Sequence, residues 1–144
     1  MNPNLLPSSR VSLVGVVAPD AQAVGDVSTG WIKAADFFYF MAVISAGAMG
    51  ASATLDAKIE QATSAAGAGA KDVTDKAITQ ITTDNTQALI NVNGDDLDFT
   101  NGFEYIQLTL TIGTATSDAS AELFGFDARY APGEHASSVA EVVA

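Results

Sequence analysis

Hydrophobic and polar positions alternate with period two along much of this chain, a pattern that predicts strands rather than helices. The clearest case is Phe103 to Ile112. There Ile106, Leu108, Leu110 and Ile112 fall on one side, and Tyr105, Gln107, Thr109 and Thr111 on the other. Ala53 to Ala62 repeats the alternation, with Leu55, Ala57 and Ile59 opposed to Thr54, Asp56, Lys58 and Glu60. A helix is the rival reading of that segment, because Ala, Lys, Glu and Gln are good helix formers. At helical spacing, however, Leu55 and Ile59 would share a face with little else of bulk. Val11 to Val17 is a short β-branched run closed by Pro19 and Asp20, and reads as the first strand. Val24 to Ile32 reads as a weaker second one carrying Trp31. Phe37 to Ile44 crowds aromatic and β-branched residues together, which suits a central strand covered on both faces. Gln87 to Asn93 and Ala119 to Tyr130 complete the set, the latter with Gly125 as a candidate bulge.

Turn chemistry separates these runs. Gly47 to Ser52, Thr82 to Thr86, Gly94-Asp95, Asn101-Gly102 and Gly113 to Ser117 all carry turn residues. Thr63 to Ala70 is a low-complexity loop of small residues. Val73 to Ile81 is ambiguous between one helical turn and a short strand. Leu97 and Phe99 are the apolar anchors of an acidic connection. About seven to nine short strands split by turns predict an all-β fold, an antiparallel β-sandwich or jelly roll. It is expected to be a single domain over residues 11–131. An extended N-terminal arm (1–10, with Pro3 and Pro7) and a small-residue, acidic C-terminal tail (132–144) flank it.

Length adds that a core is affordable: a chain of 144 residues buries roughly two thirds of its unfolded surface without staples. Absence of cysteine excludes disulfides, thiolate metal sites and thiol nucleophiles, and fits cytosolic assembly. Net charge is -11, with no Lys or Arg between Lys76 and Arg129. Such a surface repels phosphate, so neither nucleic acid nor an anionic membrane is an expected partner. The apolar run from Phe37 to Ala51 falls short of the roughly 20 residues of a spanning helix and is broken by Gly47 and Gly50. It also starts too far from Met1 for a signal peptide.

Candidate chemistry is sparse. His135 is the only histidine and reads as an exposed tail residue; no G-x-S-x-G elbow accompanies it. Asn91, Asn93 and Asp95 alternate as in a calcium loop. An EF-hand fails, because position six is Asp96 and position twelve is Gly102. An irregular calcium site around Asp95, Asp96 and Asp98 stays open beside the default of a solvated turn. Gly67-Ala-Gly-Ala-Lys71 lacks phosphate-loop spacing and is followed by Asp72. Trp31 and Phe37 to Phe40 read as core, with a subunit interface as the alternative. No catalytic residue, cofactor site or metal site is assigned, and no enzymatic activity is expected.

The order of several segments resembles the small capsid decoration (cement) proteins of tailed phages and prophages. The likeness begins at Asp36 with the aromatic strand and its Gly47-Ala-Met-Gly50 exit. It continues through Ala53 to Thr63, the Ala65 to Val73 loop and Leu97 to Ile106, and ends with Ala128 to Pro132. Each segment alone is generic; the order carries the resemblance. It implies a β-sandwich bound many times over the outside of an icosahedral shell. The implied partners are the major capsid protein and further copies of itself, as a homodimer or homotrimer. The implied location is the virion exterior after assembly in a bacterial cytoplasm. Both termini are expected to order on neighbours by strand addition. The alternatives are another virion component, such as a head fibre base or tail protein, and a carbohydrate-binding β-sandwich.

Overall fold

A computed structural model describes residues 6–130 and 132–143. Part of the expected N-terminal arm (1–5) and residues 131 and 144 lie outside the described residues. Nine strands follow in chain order: β1 (Val11–Gln22), β2 (Gly25–Ser28), β3 (Ile32–Lys33), β4 (Phe37–Met49), β5 (Thr54–Ala62), β6 (Lys71–Ala77), β7 (Gln87–Asn93), β8 (Tyr105–Gly113) and β9 (Ser117–Ala128). They form two antiparallel sheets, ordered β1-β9-β4-β7 and β2-β8-β5-β6, with β3 also on β8. First pairs with last and second with next-to-last, which is the strand order of a jelly roll. The expected all-β sandwich is therefore the fold. Among the described residues the only helical segments are 3-10 turns of three residues, and none is long and apolar enough to cross a membrane.

The core lies between the sheets and is made by the period-two rows. Ile106, Leu108, Leu110 and Ile112 of β8 are essentially unexposed, as are Leu55 and Ile59 of β5. Phe40, Ala42 and Ile44 of β4, Leu123 of β9 and Val92 of β7 meet them from the other sheet. Burying each large aliphatic side chain stabilises the fold by about 1.5–3 kcal/mol. Val73 to Ile81 resolves as β6, followed by a single bridge in which the backbones of Leu55 and Ile81 exchange both hydrogen bonds at 2.9 Å. The low-complexity loop is pinned from within: Ser64 Oγ accepts the Ala66 and Ala68 N–H groups at 3.3 and 3.2 Å. Gly67, at φ +79°, lies against the Trp31 indole where a Cβ would collide.

Four expectations need correction. β1 does not stop at Pro19 but runs on to Gln22. Proline is tolerated because β1 is an edge strand and its register with β9 shifts between Val17 and Asp20. β4 continues through Gly47 to Met49, so the turn begins only at Gly50. β4 is central in strand order but not covered on both faces: Phe38 and Tyr39 are exposed, and from Phe40 on the strand alternates between buried and half-exposed residues. Gly125 is not a bulge, since its register runs unbroken on both sides, opposite Ser12 and Phe40. Its missing side chain makes room for the Phe37 ring, whose atoms lie 2.7 Å from where a Cβ would stand.

That contact generates the first prediction. Gly125→Ala forces the Phe37 ring to shift and should cost about 1–3 kcal/mol by overpacking. Ser120→Ala, on the outer side of the same strand, should stay within about 0.5 kcal/mol of wild type. Urea unfolding of both variants measures the difference, and equal midpoints would refute the packing argument.

Candidate functional site

The two outer faces of the sandwich differ sharply in chemistry. On the β2-β8-β5-β6 sheet, the residues pointing away from the core are Asp26, Thr111 and Asp56 in one row. Ser28, Thr109 and Lys58 form the next, and Gln107 and Glu60 the one after. These groups satisfy one another. Glu60 accepts hydrogen bonds from Thr109 Oγ1 at 2.6 Å and Gln107 Nε2 at 3.0 Å, and pairs with Lys58 at 3.3 Å. Lys58 also meets Asp72 at 2.7 Å, and Thr111 donates to Asp26 at 2.6 Å. Partial burial alone would raise the Glu60 pKa, but the donors from Thr109, Gln107 and Lys58 outweigh it and hold the carboxyl below its ordinary value.

The outer face of the β1-β9-β4-β7 sheet is apolar. Its first row across the strands is Val11, Phe126, Tyr39 and Asn93. Its second is Leu13, Phe124, Met41 and Asn91, and its third Val16, Glu122, Val43 and Leu89. Ser120, Ser45 and Gln87 form a polar fourth row. Tyr39 and Leu89 keep 49% and 60% of their surface exposed, although both belong to a patch contiguous with three other strands' apolar residues. Antiparallel sandwiches ordinarily present polar residues on such a face. Sequence reasoning saw the signal, a β4 apolar at both parities, but assigned it to burial within the chain. Of the large apolar residues on this face, Tyr39 and Leu89 are exposed and the others are half-buried.

The acidic connection after β7 does not gather its carboxylates. Asp96 accepts the Asn93 N–H at 2.7 Å and pairs with Lys76 at 2.9 Å. Asp98 turns instead to Lys71 at 2.7 Å and Asn101 Nδ2 at 2.7 Å. Lys71 foremost, with Asn101, lowers the Asp98 pKa. At Asp96 partial burial pushes upward, but the Asn93 N–H and Lys76 prevail and lower it. Among the described residues no group of three or more His, Asp or Glu side chains is placed to hold a metal. Lys71, at the end of the phosphate-loop-like run, is occupied by Asp98 and by the Phe103 ring, 3.9 Å from Nζ. Phe99 packs on the core, and Leu97 is buried.

The tail histidine departs most from expectation. His135 is half-buried, and its Nδ1 accepts the Leu13 N–H at 3.1 Å. The next residue, Ala136, donates its N–H to the Leu13 carbonyl at 2.6 Å. The expected free tail thus folds back on the outer edge of β1, where it takes the N–H and carbonyl of Leu13 that an edge strand leaves without a neighbouring strand. Gly133 sits against Ser12, Phe37 and Ala128. The nitrogen a general base would need is already committed as an acceptor.

One hollow combines aromatic and polar groups. Phe38, Tyr39, Asn93, Gly94, Asp95, Phe99 and Arg129 line a space of about 460 Å³. The Arg129 guanidinium lies 4.1 Å over the Phe38 ring, covering one of its faces.

Comparison of the sequence with protein families and with curated proteins gives no match. Among solved structures, a CBM4 protein is 16% identical, with 83% of this chain and 68% of that chain covered, at a TM-score of 0.42. Naturally occurring empty particles of Cowpea mosaic virus give 9% identity, 85% and 86% coverage and a TM-score of 0.46. An empty virus-like particle of Cowpea mosaic virus gives 10%, 92% and 88%, and 0.45. No residue role carries over from any of these.

A pH dependence follows from the polar face. Because the Glu60 carboxyl is held below its ordinary value, its contribution is full above the ordinary carboxylate range. It is lost as pH falls through the lowered value, from about pH 4 downward. Glu60→Gln should therefore melt below wild type at pH 7, and the gap should narrow toward pH 3. A gap that stays constant with pH would show that packing, not charge, sets the effect.

Proposed function

We propose that this chain is a non-enzymatic structural protein of a tailed-phage virion, a subunit that decorates and cements the outside of the capsid. The observation that carries the reading is the one-sidedness of the sandwich. One outer face is polar and internally satisfied, while the other is largely apolar, with Tyr39 and Leu89 exposed on it. A protein built to sit in a layered assembly has use for such a difference, since large apolar patches mark association sites. A jelly roll is itself a topology shared by viral shell proteins and lectins. Topology alone does not assign function, so the faces bear the weight. Assembly in the bacterial cytoplasm and a place on the capsid exterior belong to the same proposal.

The partners under this reading are the major capsid protein and further copies of this chain. Beyond its anchor at Ala136, the C-terminal segment carries Val142 and Val143, both exposed, the latter at 84%. This segment and the N-terminal arm supply contacts to the shell, and many weak contacts per particle sum to tight attachment. A carbohydrate-binding module is the second reading. Its support is the hollow in which half-exposed Tyr39 stands beside Asn93 and Asp95.

Copy number tests the proposal. Quantitative mass spectrometry of purified particles should find hundreds of copies in a simple ratio to the shell protein, and deleting residues 137–144 should lower that ratio. A handful of copies would move the chain to a vertex or the tail. None, together with oligosaccharide binding abolished by Tyr39→Ala, would replace the proposal with the second reading.

A further inference from the structure

Resting on the structural-subunit reading, we infer that the apolar outer face of the β1-β9-β4-β7 sheet is a dimer interface, and that a second copy of this chain covers it. Two observations select that occupant, and a third sets the strength of the contact. The first is charge. In a chain of net charge -11, the rows from Phe126 to Ser120 hold a single charged side chain, Glu122. Carboxylates of Asp26, Asp56, Glu60 and Asp72 lie on or beside the opposite sheet. Two copies of so acidic a molecule meet with least repulsion through this face.

The second observation is complementarity under a two-fold axis. Let the axis run across the strands along the middle row, Leu13, Phe124 and Met41. The third row of one copy then lies over the first row of the other. Glu122 is set above the partner copy's Phe126, and beside that row stands Arg129, stacked on Phe38 next to Tyr39, while Arg10 is held by Asp127 of its own chain. The lone carboxylate of each copy thereby comes to the end of the face that holds the other's Arg129, twice over by symmetry, while Val43 meets Tyr39 and Leu89 meets Asn93. An isologous contact of this kind closes on itself.

The third is area. Four strands about 4.8 Å apart and the five residues spanned by the three superposed rows, at about 3.3 Å each, give a shared face of roughly 320 Å² per copy. Two copies bury roughly 640 Å² before side-chain relief is added, less than the roughly 1,000 Å² of a stable interface, so the contact is a weak one. The dimer is therefore reversible and concentration-dependent in solution. It is consolidated where a lattice holds copies close.

Sedimentation equilibrium of the full chain across a thousandfold range of concentration tests this. Wild type should pass from monomer to dimer and no further. Val43→Lys combined with Leu89→Lys should remain monomeric throughout, while thermal melting confirms that it folds. Glu122→Arg and Arg129→Glu should each weaken association about tenfold, and the double variant should recover it, as coupled charge pairs do. A wild type monomeric at every concentration overturns the inference. So does a dimer indifferent to the lysine pair. If wild type is monomeric yet the lysine pair abolishes particle binding, the face belongs to the shell protein and the inference fails while the virion reading stands. If the dimer behaves as described but the chain is absent from particles, the virion reading fails and the dimer stands.

Discussion

The inward row of β8 is the constraint on which the rest of the molecule depends. Ile106, Leu108, Leu110 and Ile112 are all essentially removed from water, and their strand takes β2, β3 and β5 along its two edges. Because side chains alternate strictly along a strand, fixing this row inward fixes Gln107, Thr109 and Thr111 outward. The outward trio then dictates what its neighbours carry: Glu60 to receive Thr109 and Gln107, and Asp26 to receive Thr111. One-residue slippage of β8 would bury three polar groups and expose four aliphatic ones. The core and the polar face are thus a single decision made by the pleat.

Sequence pattern was most informative where this alternation is clean. β5, β7 and β8 lie where periodicity put them, β7 from Gln87 to Asn93 as expected. It failed where a non-local partner decides the outcome. Pro19 ends a strand by local rules, yet an edge position and a register shift permit it. Gly125 looked like a bulge because nothing local announces the Phe37 ring lying across it. His135 looked free because its acceptor role depends on Leu13, which lies 122 residues away in sequence. Strand order, with β1 beside β9, was beyond reach for the same reason.

The candidate site was half legible. Apolar residues at both parities of β4 were visible, and so was the acidity of the chain. Hydropathy does not say whether the second cover of a strand comes from its own chain. Nor does total charge say that the carboxylates avoid one face. Only the paired register, which brings Leu13, Phe124 and Met41 into line, shows that scattered apolar positions form one patch. The acidic run near Asp95 illustrates the reverse error. Three aspartates close in sequence suggest convergence, whereas a short 3-10 turn sends Asp96 to Lys76 and Asp98 to Lys71.

The pairing of Val11 with Phe126 also has a bearing on how the molecule comes into being. Synthesis delivers β1 before all the other strands and its partner β9 after them, so one edge of the sandwich cannot close until the seven strands between have been made. Until then the strand waits with an open ladder and apolar residues on both sides. Folds of such long-range pairing form slowly, and their waiting edges are prone to capture by other chains. A chain of this design therefore has a kinetic vulnerability that its finished structure hides, one that lies in the order of birth of its two most distant strands.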